Sequence, residues 1–233
     1  MTNILLTGCN GRMGNAVVKA CLEYENCRIC GGVDVMVSNT GYDFPVCVSA
    51  EDFPGNCNVI VDFSHHTATE GLLNFAISKN LPIVIATTGH TPEETAAIKE
   101  AANKIPVFYS RNMSLGINLL IALAKKAVSS LGEGYDIEII EKHHNKKLDA
   151  PSGTAKSLAD IVDANMGVST DIQSVRCGEI PGIHTVGYEG LNDRITMTHE
   201  AFSREGFAAG AVEAALRTEG LAGVHEFKEL FFE

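Results

Sequence analysis

From Glu138 to Ala155 the chain reads Glu-Ile-Ile-Glu-Lys-His-His-Asn-Lys-Lys-Leu-Asp-Ala-Pro-Ser-Gly-Thr-Ala, a stretch whose residue types can move protons and hold anions. Histidine and lysine each hand over a proton near neutral pH once their surroundings tune them. His143, His144 and Lys147 crowd into five residues, and Ser152 is placed to cap a helix. Such a cap leaves the amides of Gly153 and Thr154 pointing at an incoming anion. A lysine, a histidine and a helix N-terminus can together hold two carboxylates. Standing alone, a polar run of this kind is more often a solvated loop.

The elements that must carry it can be read locally. Ile137 to Lys142 has the make-up of a short strand, entered from a turn at Gly132–Gly134. After Asp149-Ala-Pro-Ser-Gly, the spacing of Leu158, Ile161 and Val162 is helical. The residues between, His143 onward, are expected in a loop outside the core.

The first half of the chain supplies a second kind of site. A strand, Asn3 to Thr7, runs into Gly8-x-x-Gly11-x-x-Gly14 and then a helix with apolar periodicity at Ala16, Val17, Ala20 and Cys21. Strand, glycines and helix in that order let backbone amides approach a pyrophosphate. The next strand, Arg28 to Val33, ends at Asp34, where an acid accepts hydrogen bonds from an adenosine ribose. Val35, Met36, Val37 and Ser38 follow without a cation, so NADH is expected over NADPH, with Arg12 the one residue placed to soften that preference.

Further strands at Val59–Phe63, Ile83–Ala86 and Pro106–Tyr109 alternate with helices at Thr69–Lys79 and, behind a capping box at Thr91–Glu94, up to about Lys104. This alternation means a parallel sheet covered on both faces, with ligands beyond the carboxyl ends of its strands. A long helix, Leu115 to Leu131, changes the pattern. Strands at Ile172–Cys177, His184–Tyr188 and Arg194–Glu200 then point to a second, α+β domain whose mixed sheet has one open face. An Ala-rich helix, Phe207 to Arg217, is expected to return to the first domain. The domains are therefore 1–114 with 206–233, for the dinucleotide, and 115–205, for substrate binding and oligomerisation.

A formal charge of −11 argues against a nucleic-acid partner or an anionic membrane surface. No apolar run approaches a membrane span and no signal peptide is visible, so a cytoplasmic enzyme is expected. Seven cysteines then read as reduced thiols. Cys27-x-x-Cys30 has redox spacing but falls in a strand, and no metal site is expected.

Across essentially its whole length the chain resembles the 4-hydroxy-tetrahydrodipicolinate reductase (dihydrodipicolinate reductase) family. The most specific match is Glu141-x-His143-His144-x-x-Lys147-x-Asp149-Ala-Pro-Ser-Gly-Thr-Ala155. Gly8-x-x-Gly11-Arg12-Met13-Gly14, Val61-Asp-Phe-Ser64, Thr87-Thr-Gly89, Asn112-x-Ser114 and Arg176-x-Gly178-Glu179-Ile180-x-Gly182-x-His184-Thr185 support it. The resemblance implies that His143 and Lys147 are catalytic, and that His144, Ser152, Gly153 and Thr154 bind the carboxylates of a cyclic imine dicarboxylate. It implies cofactor contacts from Gly8, Cys9, Asn10, Gly11, Arg12, Met13, Asp34, Ala86, Thr87, Thr88, Ser110, Arg111, Asn112 and Met113, closure of the domains around both ligands, and a homotetramer. Ser110-Arg-Asn-Met113 stands where relatives carry a small-Ala-Asn-Phe run. Two rival dehydrogenase classes fit less well. Sugar or inositol dehydrogenases need a proline where His143 stands, and semialdehyde dehydrogenases need a cysteine nucleophile, for which only Cys177 offers itself. A non-catalytic dinucleotide sensor would have no use for a proton donor.

Overall fold

Ile4 to Leu6, Val59 to Val61 and Ile83 to Ile85 are at most 1 % exposed, and they line the middle of a parallel sheet covered on both faces. The computed structural model describes residues 1–37, 41–131, 134–166, 169–218, 220–221 and 223–232. Ser38, and Gly132 and Glu133 of the expected turn, lie outside the described residues.

Two compact units emerge, Met1–Met113 with Phe207–Phe231, and Ser114–Gly206. In the first, β1 (Thr2–Thr7), β2 (Cys27–Val33), β3 (Val46–Cys47), β4 (Val59–Asp62), β5 (Ile83–Ile85), β6 (Val107–Tyr109) and β11 (Val224–His225) form one sheet. Its order is β11-β6-β5-β4-β1-β2-β3, every pair parallel, as a Rossmann-type domain requires. Helices α1 (Arg12–Cys21), α2 (Thr69–Lys79), α3 (Pro92–Ala101), α6 (Glu205–Thr218) and α7 (Phe227–Phe231) complete the unit. The capping box is present: Thr91 Oγ1 accepts the Glu94 amide and Glu94 accepts the Thr91 amide. Helix α6 buries Ala208, Ala211, Ala214 and Ala215, and a Cβ on Gly210 would overlap the Met113 carbonyl, so only glycine permits that approach.

The Cys27–Cys30 spacing has no structural counterpart. Cys27 Sγ lies 3.3 Å from Cys21 Sγ, while Cys30 donates to the Ile4 carbonyl. Burial pushes the Cys21 thiol up to about 12, which keeps it protonated and inert.

The second unit carries α4 (Leu115–Leu131), β7 (Tyr135–His143), α5 (Gly153–Met166), β8 (Ile172–Arg176), β9 (Gly182–Gly190) and β10 (Arg194–Ala201). The sheet order is β10-β9-β7-β8; β7 and β8 are parallel and the other pairs antiparallel. Both helices pack on one face, where Leu120, Ala124, Leu158 and Val162 meet Ile139, Val186 and Tyr188. The opposite face is open: Arg194, Thr196, Thr198 and Glu200 of β10 are all exposed, and Thr198 pairs with Thr185 across the ladder.

Strand β7 is longer than its sequence suggests and corrects one expectation. His143 is its last residue, paired in register with Arg176, and it is buried rather than displayed in a loop. Side chains two apart in a strand share a face, so His143 continues the row that Ile139 and Glu141 begin.

Candidate active site

Register assembles the polar centre of the second unit. Glu141 stands opposite His184 of β9 and Ser174 of β8, and His184 stands opposite His199 of β10. On the helix-covered face, the apolar core therefore gives way at one end of the sheet to a row of ionisable groups.

Glu141 is fully buried, and its partners explain how it stays charged. Arg176 donates Nη1 to Oε2 (2.8 Å) and Nη2 to Oε1 (2.7 Å), a bidentate pair. His143 Nδ1 meets Oε2 at 2.5 Å, and the Ser152 amide donates to Oε1 at 3.2 Å. Burial alone would push this carboxyl up; the Arg176 and His143 bonds instead bring it down to about 2. The Arg176 guanidinium also donates to the Asp149 carbonyl, tying the following loop to the sheet.

His143 is pulled below its ordinary value by burial, and Glu141 opposes that shift. Its ring meets the His184 ring edge-on, centroids 5.1 Å apart, and its Nε2 lies over Gly182, where a Cβ would sit 3.0 Å away. Burial, then the charge of His143, lowers His184 to about 4. His184 Nε2 shares a hydrogen bond with Ser152 Oγ (3.0 Å), and Ser152 Oγ accepts the Ala155 amide, which makes Ser152 the cap of α5. The side chain of Ser152 is thus committed within the protein, leaving Gly153 and Thr154 to head the helix. Lys147 is mostly buried and holds Asp149 at 2.8 Å, a bond that lowers the Asp149 carboxyl. The His144 amide donates to Ile180, and the buried Nδ1 atoms of His144, His184 and His199 have no partner among the described residues.

In the first unit, a cavity of about 520 Å³ opens at the carboxyl ends of the strands. Gly8, Gly11 and Asp34 line it, as the sequence leads one to expect, with Ser64 and His65 of the loop after β4, and with Val48, Ser49 and Glu51, which it did not single out. Asp34 Oδ2 accepts the Asn10 amide (3.0 Å) and Oδ1 the Met36 amide, so this acid shapes the loop it faces. Buried Asp62 accepts from Thr7 Oγ1 and from both donors of Ser64, pinning the ends of β1 and β4. Arg12 is exposed and lies outside the cavity wall; Met13, Ala86 to Thr88 and Ser110 to Met113 also do not line it. The Cys9 and Met113 side chains are buried, so contacts from these two to a ligand would use the backbone. The glycine cradle, the acid and the cavity volume fit the adenosine end of a dinucleotide. Among the described residues, no group of three or more His, Cys, Asp or Glu side chains is arranged to hold a metal ion, and no helix is long and apolar enough to cross a membrane.

Glu141 was legible in principle, two residues before His143 on one face of a strand; Arg176 and His184 depend on pairing across the sheet.

Comparison with known proteins bears on the family and the fold. The family description "Dihydrodipicolinate reductase, N-terminus" matches residues 2–113, and "Dihydrodipicolinate reductase, C-terminus" matches residues 116–231. The chain is 42 % identical over 234 residues to 4-hydroxy-tetrahydrodipicolinate reductase of Caldanaerobacter subterraneus subsp. tengcongensis, covering 92 % of each. It is 38 % identical over 237 residues to the enzyme of the same name from Clostridium tetani, covering 94 % of this chain and 92 % of that one. Among solved structures, a dipicolinate-bound dihydrodipicolinate reductase from Paenisporosarcina sp. superposes with a TM-score of 0.87 at 22 % identity, covering all of both chains. A myo-inositol dehydrogenase from Corynebacterium glutamicum shares the fold at a TM-score of 0.64 and 13 % identity, over 95 % of this chain and 90 % of that one.

Proposed function

The chain belongs to the dihydrodipicolinate reductase family, and from that membership we infer an NAD(P)H-dependent 4-hydroxy-tetrahydrodipicolinate reductase whose chemistry is run by His143 and Lys147. The observation that carries the assignment of residues is the buried Glu141–His143 pair beside Lys147 and the head of α5. When bound, the dihydronicotinamide supplies the hydride. Gly8 to Met13 and Asp34 hold its adenosine and pyrophosphate end, and Ala86 to Thr88 with Ser110 to Met113 serve the rest. Lys147, His144 and the amides of Gly153 and Thr154 hold the two carboxylates of the cyclic imine dicarboxylate.

Once the 4-hydroxyl has left as water, hydride addition to the conjugated ring leaves negative charge that a proton from the His143–Lys147 pair quenches. Free His143 is held below its ordinary value by burial. Two carboxylates bound nearby raise it, so substrate binding itself favours the protonated ring. Asp34 and Glu51, two acids on one cavity, disfavour a 2′-phosphate and favour NADH. The open face of the second sheet, about Ile172 to Glu200, is the surface we assign to a homotetramer; light scattering at micromolar concentration gives a tetrameric mass, and a monomer contradicts the assignment. Seven free cysteines suit a reducing cytoplasm.

The test is NADH oxidation with freshly prepared substrate. Substrate-dependent turnover is expected; a folded protein inactive with both NADH and NADPH overturns the reading.

A further inference from the structure

We propose that Glu141 is the positioning residue of this site, selecting the ring nitrogen at which His143 exchanges its proton and anchoring the head of α5 in the same act. The proposal rests on the reading of His143 and α5 given above. Hydrogen bonds converge on the carboxylate from Arg176 (two), His143 Nδ1 and the Ser152 amide, and the Ser174 side chain adds another. A carboxylate has about four lone-pair sites, so Glu141 is saturated. Charge neutralisation would need Arg176 alone. The bonds from His143 and from the Ser152 amide lead to the proton-handling ring and to the turn that presents Gly153 and Thr154.

An ionised carboxylate only accepts, so the proton in the His143 bond lies on Nδ1. Exchange then takes place at Nε2, the edge that lies over Gly182 and for which a side chain there would compete. Arg176 keeps Glu141 in the ionised form that this selection requires. The groups facing His143 are Glu141 on its own strand, Lys147 in the loop, Arg176 on β8 and His184 on β9, with His199 of β10 behind His184. Of these, Glu141 is the single anion. Its loss therefore removes the one charge that favours the imidazolium, while Lys147 and Arg176 remain to oppose it.

Glu141→Gln preserves shape and removes the charge. Its kcat should fall on the order of 10²-fold, the scale of a mispositioned acid–base group. The alkaline limb of kcat/KM against pH should move to lower pH, because His143 then loses its proton earlier. Glu141→Asp, which keeps the anion, should restore the position of that limb without restoring kcat in full. A merely structural role would lower Tm and leave the pH limb where it is in wild type, and that outcome overturns the proposal. Should Glu141→Gln fail to fold, imidazole nitrogen NMR of the wild-type protein decides. Neutral His143 with its proton on Nδ1 supports the proposal, and a proton on Nε2 overturns it. The NMR arm is independent of turnover, so an inactive wild-type protein would count against the assigned reaction and not against this geometry.

Discussion

The glycine loop of the first unit and the histidine rows of the second prepare for their ligands by opposite means. Gly8 sits at φ +71°, and a Cβ there would lie 2.4 Å from the Phe63 carbonyl oxygen; one on Gly14 would lie 2.3 Å from the Gly8 oxygen. In that loop the backbone is the group offered to a ligand under the proposed function, and side chains are absent where they would keep it from folding onto itself. In the second unit the backbone is regular strand and helix, and the proposed site is built on buried side chains around the Glu141–Arg176 pair. A backbone site should tolerate charge changes and fail on added atoms. A side-chain site should do the reverse, since a buried charge that loses its partner is what costs most.

The largest effect should come from the second unit. His143→Ala and Lys147→Ala are each expected to lower kcat/KM by roughly 10²–10⁴, with NADH affinity, measured by fluorescence titration, unchanged. Thr154→Ala should act mainly on KM. Near wild-type turnover in both of the first two variants would remove the catalytic centre.

A pH-dependent loss of stability follows next in size. His184 titrates at about 4 in the folded protein and near 6.5 unfolded. The unfolded state thus binds more protons between those values, and stability, complete above about 6.5, declines as pH falls toward about 4. The His184 share is roughly 3 kcal/mol. His143 and His199, also lowered by burial, add in the same direction. Urea denaturation across this window should show the decline in wild type and a flatter profile in His184→Gln. Equal slopes would place the source elsewhere.

Two glycine substitutions sharpen the contrast directly. Gly14→Ala forces a methyl against two carbonyls and should destabilise by about 1–3 kcal/mol while abolishing NADH binding. Gly153 heads α5 with open space around its Cβ position. Gly153→Ala should stay within about 0.5 kcal/mol of wild-type stability. Thermal melts of the two compared side by side check this; similar losses in both would erase the distinction.

The smallest expected effect is on cofactor choice. NADH should be preferred by at least about tenfold in kcat/KM, or about 1.4 kcal/mol. Glu51→Gln should narrow the ratio by removing one of the two acids on the cavity. A preference for NADPH in wild type would mean that Arg12 or another cation reaches the phosphate.

Local order was legible without coordinates. Helices α2 and α4 begin and end where the sequence reading places them, at Thr69–Lys79 and Leu115–Leu131. The capping box at Thr91 is present, and the glycine loop joins β1 to α1 as its spacing requires. Such features are set by residues within a turn or two of each other, and so they are written in the chain directly. Strand β3 escaped notice because two residues, Val46 and Cys47, are too few to show a period. With it went the cavity wall that follows, including Glu51.

What the sequence determined by itself is the inventory: which long segments fold as strand or helix, which stretch carries His143 to Thr154, and which residue types can exchange a proton or meet an anion. Tertiary structure decided the electrostatics. Glu141 and Arg176 are 35 residues apart, and Ser152 and His184 are 32 apart. Only the pairing of β7 with β8 and β9 turns them into neighbours. Burial then follows from packing under α4 and α5, and burial moves His143 and His184 downward while Arg176 holds Glu141 charged. Proton affinity depends on the charges and solvent around a group, which no spacing along the chain specifies.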